Sequence, residues 1–172
     1  NFANKHSEID VVIKPKNKKE YTNLYEMLGW IIEGTEIVFE KISNLYIRSD
    51  LDAQKLLFET DVVCGLRSTV LLEAAIVGKP VIIPYFKALQ DFKYDGDIYF
   101  RDSLHLFDIA KDVNELESII IDRLHNPTID EKIMEERKAY FEKYISGMKG
   151  DATEKYVALI KSVVDGELKR EC

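Results

Sequence analysis

The sequence predicts an α/β fold: a Rossmann-like, three-layer α/β/α arrangement with a mainly parallel sheet and helices toward the carboxyl end. Three observations predict it. Short runs of β-branched and other apolar residues show little alternation, as strands covered on both faces do. Segments with apolar residues three and four apart lie between those runs, so strands and helices take turns along the chain. One such run, residues 61–64 (DVVC), passes through Gly65 and a short turn straight into a helical pattern.

Residues 8–14 (EIDVVIK) read as a strand stopped by Pro15, which lacks a backbone donor. Tyr21, Leu24, Tyr25, Leu28, Ile31 and Ile32 then share one helical face, with Gly34 as the stop. Residues 45–47 make the next strand, 52–58 a short helix and 61–64 a further strand. Residues 69–77 are helical, Gly78-Lys79-Pro80 ends that helix, and 81–85 (VIIPY) return as a strand. Residues 87–102 carry aromatics and aspartates without a period and read as a long loop, a kind of segment that is more often functional than idle in a compact domain. A weak strand is expected over 104–109. Asp112 should cap a helix running through Leu116, Ile119, Ile120 and Leu124 to Asn126-Pro127. Two last helices, 130–144 and 152–164, are separated by the 146–150 break, with Asp151 placed to cap the second.

Composition bounds what such a fold could do. The chain has 172 residues, 46% hydrophobic and 32% charged, enough for one substantial core in a single domain over 1–172. No apolar run approaches the roughly 18–20 residues of a membrane span, and no signal peptide is legible, so a soluble cytoplasmic protein is expected. Two cysteines, Cys64 in an apolar run and Cys172 at the end, suit a reducing compartment, with Cys64 expected in the packing. With 31 acidic against 24 basic residues the net charge is −7, which disfavours general nucleic-acid binding. The opening Asn1-Phe2-Ala3, without methionine, reads as a segment processed or excised from something longer.

The chemistry concentrates in residues 61–86 (DVVCGLRSTVLLEAAIVGKPVIIPYF). Amides at a helix start, backed by the positive end of the dipole, form an anion site, and Ser68 and Thr69 add hydroxyls. The same residues are also ordinary caps. Glu73 is the other signal, because every other residue from 70 to 77 is apolar, so this helix should be buried and a carboxylate on it needs a partner. Escape to solvent, or pairing with Arg67 or Lys79, would satisfy it. So would a diol such as a ribose, one helical turn, about 6 Å, from a phosphate at the helix start. The two features together favour a nucleotide.

The pattern D-V-V-x-G-x-x-S-T-x-x-x-E-A-x-x-x-G-K-P-V-I-x-x-Y, carried by residues 61–85, resembles the nucleotide-binding core of the C-terminal domain of GT-B-fold glycosyltransferases. The similarity is to enzymes of bacterial surface and capsular polysaccharide, and also to lipid-A-disaccharide synthase and teichoic-acid glycerophosphotransferases. Val11-Val12-Ile13-Lys14-Pro15-Lys16 resembles a strand that in such proteins often ends in Lys-Pro-His, and 150–154 (GDATE) resembles the Gly-Asp-Ala start of their last helix. The resemblance implies a donor-binding domain that uses a nucleotide-sugar to glycosylate a cell-surface polysaccharide or glycolipid. Gly65, Leu66, Arg67, Ser68 and Thr69 would hold the donor phosphates, Glu73 the ribose, and Lys14 and Lys16 would be further phosphate contacts. Tyr85 and Phe86 would lie near the base or sugar. Where polysialyltransferase-like members carry His-Pro, this chain has Lys16-Asn17, a cation able to neutralise a leaving phosphate but locked in its charged form. The catalytic residue acting on the carbohydrate acceptor would come from an N-terminal domain outside these residues. Peripheral membrane association through that domain, and self-association through the face that meets it, are further implications.

Other chemistry has little support. His6, His105 and His125 lack metal-ligand spacing, so no metal and no cofactor besides the donor is expected. No P-loop, G-x-G-x-x-G or G-x-S-x-G occurs. Lys14, Lys16, Lys18 and Lys19 read equally as a solvated loop, and Trp30, Tyr21 and Tyr25 as core. Tyr94, Asp95, Asp97, Tyr99 and Arg101 could contact a base or sugar or simply line a surface loop. Two alternatives share the fold. A UDP-N-acetylglucosamine 2-epimerase-like domain would favour glycines and paired acids at 68–73, and a flavodoxin- or receiver-like interaction module would need an acidic cluster at the strand ends.

Overall fold

The computed structural model describes residues 2–15, 42–48, 50–66, 68–87, 100–144, 147 and 149–164. It is an α/β protein in which the strands of the described residues all pair in parallel, divided into two compact units, Asn1–Thr60 and Asp61–Cys172.

The first unit contains α1 (Phe2–Lys5), β1 (Val11–Ile13), β2 (Leu45–Ile47) and α2 (Ala53–Glu59). β1 and β2 pair in parallel, with Val12 opposite Tyr46. The strand expected over 8–14 is shorter at its start, because the Ile9 amide turns back to the His6 carbonyl (3.1 Å). Asn44 organises this turn. Its buried side-chain amide donates from Nδ2 to three carbonyls, those of Ala3 (3.0 Å), His6 (2.8 Å) and Ile9 (2.7 Å), while the Asn44 backbone carbonyl accepts from the Val11 amide at 2.7 Å. α2 begins where expected, Asp52 accepting from the Lys55 amide at 3.0 Å. The helix expected around Tyr21 to Ile32 lies outside the described residues.

The second unit runs β3 (Val63–Cys64), α3 (Val70–Ile76), β4 (Val81–Pro84), a 3-10 segment (Arg101–Leu106), β5 (Asp108–Ala110), α4 (Val113–His125), α5 (Glu131–Tyr144) and α6 (Ala152–Val164). Its sheet has the order β3-β4-β5, all parallel. β4 is central, and Val81, Ile82 and Ile83 are fully buried, which explains a strand sequence with no polar residue. Leu71, Leu72, Ala74 and Ala75 of α3 join Phe100, Leu106, Phe107 and Ala110 in the core. The Phe100 and Phe107 rings are 4.8 Å apart and tilted, a favourable aromatic geometry.

α3 ends as its glycine foretold. Gly78 adopts φ +81°, its amide reaches the Ala75 carbonyl (3.2 Å), and the Lys79 amide reaches the Ala74 carbonyl (3.0 Å). This bond pair is a Schellman stop, which needs a left-handed residue at that position. The strand expected over 104–109 is instead a 3-10 turn followed by β5. The Phe107 amide closes that turn onto the Leu104 carbonyl (3.0 Å), so the extended chain starts only at Asp108. Asp112 caps α4 as expected, accepting from the Asn114 and Glu115 amides at 2.8 and 2.9 Å. Glu115 reaches back to the Lys111 amide (2.6 Å), a reciprocal arrangement related to the capping box. Arg123 grips Asp108 with both ends of its fork, at 2.8 and 2.7 Å, and so fixes α4 to β5.

α5 packs on α3 and on the 3-10 segment. It carries Arg137, only 4% exposed despite its charge. The guanidinium donates to the Leu106 carbonyl (2.8 Å) and the Lys79 carbonyl (3.2 Å) and lies over the Phe107 ring, 5.9 Å from its centroid. Burial lowers its pKa, and the carbonyls and the ring's negative face replace the water it has lost. Asp151 stands before α6 as expected, but its carboxylate pairs with Lys155 Nζ at 3.1 Å and leaves Oδ1 buried without a partner.

Candidate functional site

Seven of the residues singled out by sequence meet at one edge of the second unit. β3 and β4 run in parallel with Cys64 opposite Ile82, so the chain leaves both strands in the same direction. From β3 it enters Gly65, Leu66, Ser68 and Thr69 and then α3; from β4 it enters Tyr85 and Phe86. The carboxyl ends of parallel strands are where open α/β sheets receive ligands.

A side chain at Gly65 would be crowded. A Cβ built there would meet Leu71 Cδ2 at 3.0 Å, and Leu71 is buried in the core. The absent side chain lets the strand end lie against the first turn of α3. At that turn Ser68 and Thr69 have different roles. Ser68 Oγ accepts from the Val70 amide at 3.3 Å, so this hydroxyl is the local cap. Thr69 is exposed and its side chain makes no capping bond. Its carbonyl accepts from the Leu72 and Glu73 amides at 2.9 and 3.2 Å, which sets Glu73 one helical turn along from it.

Glu73 is half-buried rather than deeply buried. α3 faces the core with Leu71, Leu72, Ala74 and Ala75, while Val70, Glu73 and Val77 form its outer row. The expectation of a helix buried all round is therefore corrected. Among the described residues the Glu73 carboxylate has neither a hydrogen bond nor an ion pair, and the pairing with Lys79 that would have given it a structural role is not formed. Arg67 lies outside the described residues, as does Lys16.

Tyr85 and Phe86 are half-buried, and the Tyr85 amide turns back to the Ile83 carbonyl at 2.9 Å. Cys64, expected in the packing, is exposed. The protein around its sulfur nonetheless pushes the thiol up to about 11, so it remains protonated at neutral pH.

Lys14 belongs to the first unit, half-buried just beyond β1, with Nζ donating to the Pro15 carbonyl at 3.1 Å. Beside it is a cation that sequence reading missed. Arg48 follows β2 as Lys14 follows β1, and its amide donates to the Ile13 carbonyl at 3.0 Å. The available signal was a basic residue immediately after each of two apolar triplets. Arg48 holds Asp50 through both ends of its fork, at 2.9 and 2.8 Å. That hydrogen-bonded guanidinium, with help from the Asp50 amide, lowers the Asp50 carboxyl to about 2.

The depressed value sets a direction. Whatever the Arg48–Asp50 pair adds to stability is complete above pH about 4 and is lost as pH falls through about 2. Both groups are exposed, so the effect on folding should be slight. Carbon-detected NMR titration should give Asp50 a midpoint near 2, and Arg48→Gln should raise it toward the ordinary range of about 4, short of it by what the Asp50 amide still contributes. An unchanged midpoint in that variant would mean that the pair does not form in solution.

The chain matches no model of a known protein family, no curated protein and no solved structure. Among the described residues no helix is long and apolar enough to cross a membrane.

Proposed function

We propose that this chain is the donor-binding part of a glycosyltransferase that moves a sugar from a nucleotide-sugar to a cell-surface polysaccharide or glycolipid. The observation that carries the reading is the placing of Glu73. It is an unpartnered, half-buried carboxylate one turn beyond a Ser-Thr turn, where the chain passes from the carboxyl end of a parallel strand into a helix. Amides and the Thr69 hydroxyl at that turn suit a phosphate oxygen. A carboxylate one turn along suits the two hydroxyls of a ribose, accepting from both. Tyr85 and Phe86, leaving the adjacent strand on the same side, offer flat surfaces to a base or sugar. The chain works in the cytoplasm, where nucleotide-sugars are the donor currency. Arg67, in the same turn of the sequence, is a cation for the diphosphate, and the acceptor and its catalytic base belong to a partner domain.

Titration with UDP, CMP and GDP, read by calorimetry and thermal shift, tests this. One nucleotide should raise the melting temperature at millimolar concentration. Glu73→Ala should weaken its binding at least tenfold, as expected when two hydroxyls lose a charged acceptor. Thr69→Ala is the cleaner phosphate probe, because Ser68→Ala also removes the bond to the Val70 amide and loosens the start of α3. If no nucleotide stabilises the chain at millimolar concentration, the donor-site reading fails.

A further inference from the structure

α6 is anomalous for a helix of a folded unit. Over Ala152–Val164 it exposes Tyr156, Val157, Leu159, Ile160, Val163 and Val164, with Tyr156 68%, Ile160 60% and Val164 78% open. At roughly 100 Å² each these side chains present on the order of 600 Å², the upper end of the largest apolar patch found on ordinary monomers. A 13-residue helix is also too short to be stable in water by its own hydrogen bonds. Something apolar must cover it.

The charges on α6 identify the cover. Lys155 and Ser162, seven apart, lie on one line of the helix, where Ser162 is half-buried. The opposite line is Thr153, Val157, Ile160 and Val164, a four-three-four spacing that makes a helix-pairing seam. Glu154 and Lys161 flank this seam on one side and Tyr156 and Val163 on the other. When a second α6 lies antiparallel, residues whose numbers sum to about 317 meet across the seam, so Val157 packs on the partner's Ile160 and Thr153 on the partner's Val164. The flanking positions then pair like with like. Glu154 meets the partner's Lys161 twice by symmetry, and Tyr156 meets the partner's Val163 on the far side. A parallel pair would set each charged flank against the other chain's apolar flank and leave all four charges unmatched.

We propose that α6 is the contact of a symmetric dimer, packed antiparallel on α6 of a second copy of this chain. The contact is isologous, so it closes at two copies and does not propagate. Its area falls short of the roughly 800 Å² per partner of a standard interface, so a weak association is expected, with an affinity on the order of tens of micromolar. The contact is independent of the nucleotide reading.

Sedimentation velocity and equilibrium over about 5 to 500 µM, a range that brackets such an affinity, should show a monomer–dimer equilibrium. Val157→Glu with Ile160→Glu, both at exposed positions, should abolish the dimer with the far-ultraviolet spectrum of the remaining fold preserved. Charge reversal gives a test that leaves the apolar seam intact. Glu154→Lys alone, or Lys161→Glu alone, should weaken dimerisation about tenfold, because two attractive contacts become repulsive, and the two together should restore it to within about threefold. A parent chain monomeric throughout the range overturns the proposal. So does a dimer indifferent to the glutamates at the seam, or a double reversal that fails to recover. A monomeric parent that sediments with phosphatidylcholine–phosphatidylglycerol vesicles, and loses this with the seam glutamates, would instead assign α6 to a lipid surface.

Discussion

Replacing Arg137 with alanine should destabilise the second unit by about 3 kcal/mol, lowering its melting temperature by on the order of 10 °C. The guanidinium is buried and donates to the Leu106 and Lys79 carbonyls. Truncation leaves the Leu106 carbonyl without its donor and opens a cavity over the Phe107 ring. Arg137→Met separates the two contributions, since it restores most of the volume but neither hydrogen bond. It should cost about 2 kcal/mol, and Arg137→Lys, which keeps the charge and one donor direction, about 1 to 2 kcal/mol. Urea unfolding followed by circular dichroism at 222 nm reports on this unit, because α3 to α6 belong to it. If methionine equals or exceeds the parent in stability, the buried charge is a burden that hydrophobic packing can replace, as happens with some buried ion pairs.

Asn44→Asp, which exchanges one side-chain nitrogen for oxygen, should destabilise the first unit by about 3 kcal/mol at neutral pH. The amide nitrogen faces three carbonyls at 2.7 to 3.0 Å. It has only two hydrogens, so one of them is shared. A carboxylate oxygen there would turn three attractions into three repulsions. The introduced carboxyl escapes by keeping its proton, so its pKa in the folded chain rises above the unfolded value of about 4. The sign follows. The variant's deficit should be smallest below pH about 4 and should grow as pH rises through the elevated folded value. Asn44→Ala should cost about 2 kcal/mol with no such pH dependence. Chemical denaturation of parent and variants at pH 4 and pH 7 checks both statements, and an aspartate variant equally impaired at both would exclude the electrostatic explanation.

These two residues show where sequence reading reached and where it stopped. Features set by neighbours in the chain were legible. The unbroken apolar run of β4, the Asp112 cap and the Gly78 stop each depend on residues within five positions, and each stands where it was expected. Arg137 was not legible, because the α5 sequence EKIMEERKAYFEKY offers many equivalent charged residues. The one that is buried is selected by carbonyls 31 and 58 residues away. Asn44 is chosen in the same way by carbonyls 35 to 41 residues away. The 3-10 turn ahead of β5 escaped notice because Leu104, Leu106 and Phe107 are apolar enough to look like strand. At the candidate site, the order of strand, glycine, Ser-Thr turn and helix was readable. The division of labour between Ser68 and Thr69 depends on which hydroxyl points at the Val70 amide, and residue types do not encode that.

The grip of Asn44 on the start of the chain also bears on what would hold if the backbone were cut. α1 and β1 are tied to residues 42–48 by the Asn44 amide, by the Val11-to-Asn44 and Arg48-to-Ile13 backbone bonds and by the β1–β2 ladder. None of these ties runs through the covalent path between residues 15 and 42. A single proteolytic nick in that path would leave two fragments joined by the same hydrogen bonds, now at the mercy of dilution. The intact chain supplies the missing concentration by keeping the two sides covalently joined, so the connection acts as a tether for pieces that already recognise each other.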